Sequence, residues 1–292
     1  MLSRRVIRVI VALAILGCIL AGVIVLITSR SEPEETAFVQ EQRQFIFDDC
    51  MSFFGTAQGE QELPPGQTAE EFCEAQADSV EFDSRFHYVD LGDALLGTSV
   101  LLSMLGMLFG ATFIGAEWSS GNMGTLLTWE PRRVRVLVSK AVAAFGVTFL
   151  LTLALQVVLA LTLLPAGMLN GVMEGTNSEW FRSTAGIALR SSLVASIVAV
   201  LGASIASIGR NTAAALGVVF AYFAIVESLL RTWKPHWASW FLGDNFGVLL
   251  VGDGAEIPEV GHTPFEAGLL IGGYALIVLL AALLFFQRRD VT

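Results

Sequence analysis

Six apolar runs, each close to the length of a bilayer crossing, govern what this chain can fold into. They cover residues 9–27, 95–115, 136–164, 185–208, 212–230 and 267–286. A helix rises about 1.5 Å per residue, so roughly twenty apolar residues cross about 30 Å of hydrocarbon. Hydrophobic residues make up 54% of the chain and charged residues 15%, and the mean hydropathy is +0.66. A water-soluble core does not have this composition. The expected class is an all-α polytopic membrane protein with six transmembrane helices.

The first 27 residues hold a basic tail (Arg4, Arg5, Arg8) and the first run. They resemble the opening of a secretory signal, but no small-x-small cleavage site follows. They read as a retained signal anchor with its N-terminus inside. Residues 28–89 form a polar, acidic insert with phenylalanines scattered among the charges, broken at Pro64, Pro65 and Gly66 into two helical pieces. Cys50 and Cys73 are the cysteines of this insert. A module this small gains from a covalent staple, which would contribute about 3 kcal/mol on the loop-entropy estimate. An extracellular location favours that disulfide over two unpaired thiols.

Residues 90–292 hold the other five spans. Gly106 and Gly110 have GxxxG spacing, which lets a second helix approach closely, within the subunit or across a dimer. Thr148, Thr152 and Gln156 recur every four residues on one helical face. Such a stripe lines a substrate path or bonds a neighbouring helix. Residues 165–181 read as a loop. Arg190 and Glu227 stand at similar depth in the fourth and fifth spans, so an intramembrane ion pair is expected, with Arg231 as a competing partner for Glu227. Residues 231–266, with Trp233, Trp237, Trp240 and a short apolar piece at 246–251, read as an interfacial or re-entrant outer hairpin.

Charge assigns the sides. With the N-terminus inside, the inner segments carry Arg4, Arg5, Arg8, Arg132, Arg133, Arg135, Lys140, Arg210, Arg288 and Arg289 against Glu117, Glu130 and Asp290. Most of the acids fall outside, although the chain as a whole carries a net charge of -10. This is the positive-inside pattern, with both termini cytoplasmic. No nucleophile, base and orienter share a telling spacing, no Cys/His pattern suggests a metal, and no Gly-rich loop ends in Lys-Ser or Lys-Thr. The expectation is a chain that is not an enzyme and has no cofactor of its own.

The longest polar interruption on the inner side is 117–140, EWSSGNMGTLLTWEPRRVRVLVSK. Met123, Leu126 and Leu127 form an apolar i, i+3, i+4 edge, and Pro131 disfavours helix at Glu130. This segment resembles the cytoplasmic segment of bacterial ATP-binding-cassette (ABC) type-2 permeases, particularly actinobacterial ones. The resemblance implies a coupling segment over 117–135, docked on a separate ATPase subunit by Glu117, Trp118, Gly121, Met123, Thr125, Leu126, Leu127, Arg132 and Arg133. It further implies two ATPase copies that hold ATP and Mg, and a second permease copy or paralogue. The chain would then be the transmembrane subunit of an exporter in the bacterial plasma membrane. The alternative from another class is a membrane-anchored sensor or scaffold whose insert binds a partner without transport.

Overall fold

The computed structural model describes residues 2–29, 37–54, 68–79, 85–252 and 261–288. The helices in chain order are α1 (Leu2–Thr28), α2 (Ala37–Phe54), α3 (Ala69–Ser79), α4 (Leu91–Ser119), α5 (Asn122–Trp129), α6 (Arg133–Leu169), α7 (Ser178–Gly209), α8 (Thr212–Ala221), α9 (Ser228–Trp233), α10 (Leu242–Val251) and α11 (Pro264–Arg288). β-pairing among the described residues is limited to an isolated bridge between His87 and Val172. Among the described residues, six helical runs are long and apolar enough to cross a membrane: α1, α4, α6, α7, the continuous run from α8 through α9, and α11. The protein is therefore an all-α multi-pass membrane protein.

The chain divides into two compact units. One takes residues 1–22, 89–162 and 174–292, and the other residues 23–88 and 163–173. In the first, α7 is the most buried of the spanning helices. Its Ser, Ala and Gly residues let α4 lie almost backbone to backbone against it. A Cβ added at Gly106 would come 2.6 Å from the Ala195 carbonyl oxygen, and one at Gly110 would run into the Ala199 carbonyl. Ser99 donates to Ser191 across the same seam at 2.7 Å. Contacts advance together along both chains, so α4 and α7 run parallel. The GxxxG pair thus serves packing inside the subunit. Apolar side chains cannot drive this association in lipid, where tails are equally apolar, so close van der Waals approach and polar bonds take their place.

α1 leans on α6 in the same manner. Gly22 faces the backbone of Thr162, whose hydroxyl donates to the Cys18 carbonyl at 3.1 Å. The fifth span is interrupted midway. Tyr222–Glu227 is π-helical, and the Ser228 hydroxyl reaches back five residues to the Phe223 carbonyl at 3.2 Å. α10, about 15 Å long, is too short to span. It packs Val248 and Leu249 against Val194 and Ile197 of α7 and Ile271 of α11.

The expectation of a loop over 165–181 fails at both ends. α6 continues through Pro165 to Leu169, and α7 already opens at Ser178. Pro165 lies near the end of α6, where its missing N–H removes a single backbone bond. Asn177 starts α7 early by accepting from the Trp180 N–H at 2.8 Å.

In the second unit, α2 and α3 pair through the Cys50–Cys73 disulfide, with a Cα separation of 5.7 Å. Phe54 and Phe72 meet edge to face beside it at 5.4 Å. Thr68 and Glu71 form a reciprocal cap at the start of α3: the Glu71 N–H donates to the Thr68 hydroxyl, and the Thr68 N–H to the Glu71 carboxylate. Residues 85–88 are stitched to 170–173 by Val172 N–H to Phe86 O at 2.9 Å and Tyr88 N–H to Val172 O at 3.0 Å.

Candidate functional site

α5 is an eight-residue helix between two spans, and its boundaries follow from the sequence. Gly121 takes a left-handed conformation (φ 71°) that turns the chain out of α4. Glu130 is extended ahead of Pro131, which ends the helix. Between these stops α5 presents two faces. Inward, Met123 is 1% exposed and packs with Ile114, Leu137, Ala282 and Phe286, with half-buried Leu127 alongside. Outward, Asn122, Thr125, Leu126 and Trp129 are exposed, an i, i+3, i+4, i+7 stripe. Trp129 is 86% exposed and Leu126 36%.

The apolar edge expected at Met123, Leu126 and Leu127 is thus divided. Met123 and Leu127 hold α5 to the bundle, and Leu126 is left outside with Trp129. A helix this short cannot be stable on its propensity alone, so its larger apolar side chains are first needed to attach it. Trp129 lay outside the predicted edge. The signal that would have found it is its position three residues beyond Leu126.

The flanking charges also turn inward. Lys140, mostly buried, donates to Glu117 at 2.7 Å and lies 5.2 Å from the centre of the Phe113 ring. The Arg210 guanidinium sits over the Trp118 ring at 4.7 Å, and Trp118 meets Phe286 edge to face at 5.8 Å. Arg133 donates to the Phe286 carbonyl at 3.1 Å, satisfying an acceptor at the end of α11. Arg135 pairs with Glu130 at 3.3 Å. Of the nine residues expected to meet a partner, Gly121, Thr125, Leu126 and Arg132 are exposed. Met123 and Leu127 instead hold α5 to the bundle, while Glu117, Trp118 and Arg133 tie the neighbouring ends of α4, α6 and α11 to one another.

The expected Arg190–Glu227 ion pair does not form. Glu227, buried at the end of the π turn, takes Arg231 at 3.2 Å and the Gly243 N–H at 3.3 Å. Arg231 also binds Asp244 at 2.8 Å. Arg190 donates to the Leu250 and Val251 carbonyls at 3.4 and 3.2 Å, at the C-terminus of α10. Each group found a nearer partner: Arg231 is one helical turn from Glu227, and α10 brings carbonyl oxygens to Arg190.

The polar stripe is buried. Thr148, Thr152 and Gln156 are each 3% exposed or less, and neither amide atom of Gln156 has a hydrogen-bond partner among the described residues. Thr148 and Thr152 line a cavity of about 30 Å³ among α1, α4 and α6. That is room for about two waters, and for no larger substrate in this conformation. No group of three His, Cys, Asp or Glu residues that could hold a metal occurs among the described residues.

A family model described as "Protein of unknown function (DUF2705)" matches residues 51–292. No curated protein and no solved structure matches the chain.

Proposed function

The chain belongs to the DUF2705 family, and from that footing we propose that it is the transmembrane subunit of a bacterial ABC exporter. Two permease copies, or this chain and a paralogue, would work with two separate ATPase subunits that hold ATP and Mg. The observation that carries this reading is α5, a short helix clamped to four spans by one face and exposing Leu126 and Trp129 on the other. An exposed tryptophan beside a leucine fits the anchor of a protein interface. Gly121 and Pro131 bound α5 at each end, so a push on it is delivered to α4 and α6, the spans it connects.

The charge distribution supports a cytoplasmic α5, with the Arg210 turn and the C-terminus on the same side of the plasma membrane. The insert then faces an oxidising exterior, where its disulfide is stable. The disulfide-stapled insert also favours the second reading, a sensor or scaffold that binds a partner without transport.

Affinity isolation of the full chain from its native membrane separates the two. Retention of a nucleotide-hydrolysing subunit is the expected result, and its absence overturns the exporter reading. Leu126→Asp and Trp129→Asp should each lower that retention at least tenfold, the loss typical of an interface anchor. Unchanged retention in both variants would remove α5 from the interface.

A further inference from the structure

Several hydroxyls in the spans are satisfied by their own helix. Thr98 donates to the Ala94 carbonyl at 3.0 Å, Ser103 to Ser99 at 2.8 Å, Thr112 to Leu108 at 2.6 Å and Ser196 to Ser192 at 2.6 Å. This bond to the carbonyl four residues back is the nearest one open to a hydroxyl on a helix in lipid. Thr148 does not make it. The residue is 3% exposed, and its hydroxyl oxygen is buried without a hydrogen-bond partner among the described residues. A buried hydroxyl in that condition is costly, so its surroundings indicate what completes it.

Those surroundings are small and partly polar. Thr148 and Thr152 of α6 and Thr112 of α4 all line the cavity of about 30 Å³, to which α1 contributes Val11 and Ala14. Gly106 keeps the space open beside Thr148, since a Cβ built on it would come 3.2 Å from the Thr148 methyl carbon. The Thr112 hydroxyl spends its proton on Leu108 and keeps lone pairs that can accept. Three hydroxyls from two helices thus border one space with room for about two waters. Small-molecule sites begin at about 300 Å³, so a ligand of that size does not fit.

The contrast lies across the bundle. A groove of about 610 Å³ between α4, α7, the fifth span and α10 has a single hydroxyl in its lining, Ser103, and that one already donates to Ser99. Nothing in the groove calls for water. Apolar cavities stay dry, whereas buried water is held where polar groups lack partners.

We infer that the α1–α4–α6 cavity is a binding site for ordered water, one or two molecules held by the hydroxyls of Thr148 and Thr152, with Thr112 as the acceptor on α4. A bridging water is nearly as good a partner as a direct bond, and it joins α6 to α4 where the threonines themselves are not bonded to each other. The site does not rest on the exporter reading.

The test uses the full chain in detergent and its thermal unfolding midpoint. Thr148→Val keeps the shape of the side chain and removes the hydroxyl. Where that hydroxyl binds water, its loss should lower the midpoint by about 2 °C or more, the scale of one lost hydrogen bond in a chain of this size. In a dry cavity the unpartnered hydroxyl is a cost alone, so the same variant leaves the midpoint unchanged or raises it. Either of those results overturns the inference. A density map of the unaltered chain, fine enough to show ordered water, is the independent check. Density within hydrogen-bond reach of Thr148 and Thr152 is expected. A map that shows water elsewhere but none there overturns the site, and density continuous with a lipid tail would assign the cavity to lipid and overturn it equally. No partner subunit or nucleotide enters either measurement, so the site can fail while the exporter reading stands, and the reverse.

Discussion

Two helix pairs in this protein solve the same problem by opposite means. α4 and α7 hold together because small residues remove the side chains between them, letting Gly106 and Gly110 meet the Ala195 and Ala199 carbonyls. α2 and α3 hold together because Cys50 and Cys73 are covalently joined. The first pair is apolar and long, and each added ångström of approach multiplies its dispersion contacts along many turns. The second is polar and short, with too little apolar surface for a core, and gains most from a constraint on its unfolded state. A membrane protein thus uses backbone proximity where hydrophobic burial brings no advantage, and a cross-link where burial is too small.

The sharpest way to break this comparison is Gly110→Val. A side chain there must displace the α7 backbone, so a loss of about 3 kcal/mol or more is expected in reversible unfolding in detergent. Gly217→Val, where an added Cβ meets nothing within 4 Å, should stay within about 0.5 kcal/mol. Equal effects at the two glycines would mean that α4 and α7 are not held by close approach. Cys50→Ser should cost the insert about 3 kcal/mol. Hydrogen exchange over α2 and α3 should rise while α4 and α7 keep their protection.

Ser191→Ala breaks the Ser99 bond and should cost about 0.6 kcal/mol, the average for a polar contact between membrane helices. A cost several times larger would move the main stabilisation of the seam from packing to hydrogen bonding. The smallest effect belongs to pH. The hydrogen bonds from Thr68 hold the exposed Glu71 carboxyl below its ordinary value of 4.5. A carboxyl depressed in the folded state stabilises it above that ordinary value, and the contribution disappears as pH falls through the folded value. The helicity of α3 should therefore fray slightly in acid below about pH 4.5, and Glu71→Gln should remove that dependence while α4 and α7 show none of it.

Much of the fold could be read in advance because each span carries its own signal. Twenty apolar residues must form a helix in lipid, whatever they later touch. The failures came where a local signal met a tertiary partner. Pro165 looks like a stop, yet α6 runs through it to Leu169, at the cost of a single backbone bond near the helix end. The apolar residues of α5 form one stripe on paper, but bundle and solvent divide them, which left Trp129 outside the expected edge. Arg190 and Glu227 share a depth, yet depth says nothing of rotation about the helix axis or of the carbonyls that α10 brings to Arg190. The groove beside the fifth span was invisible for the same reason, since its walls come from helices far apart in the chain.

The sequence by itself determined the class of the molecule, the number of membrane-length helices, the position of the cysteine pair in a polar insert and the stop of α5 ahead of Pro131, because these follow from composition, length and local backbone preference. Only the tertiary structure decided which face of α5 is free, that the glycine pair packs against α7, where Glu227 and Arg190 place their charges, and that an apolar groove lies between α4, α7, the fifth span and α10. These depend on which helices become neighbours and how each is rotated, and the pattern of apolar residues along a membrane helix, apolar on nearly every face, carries little record of either.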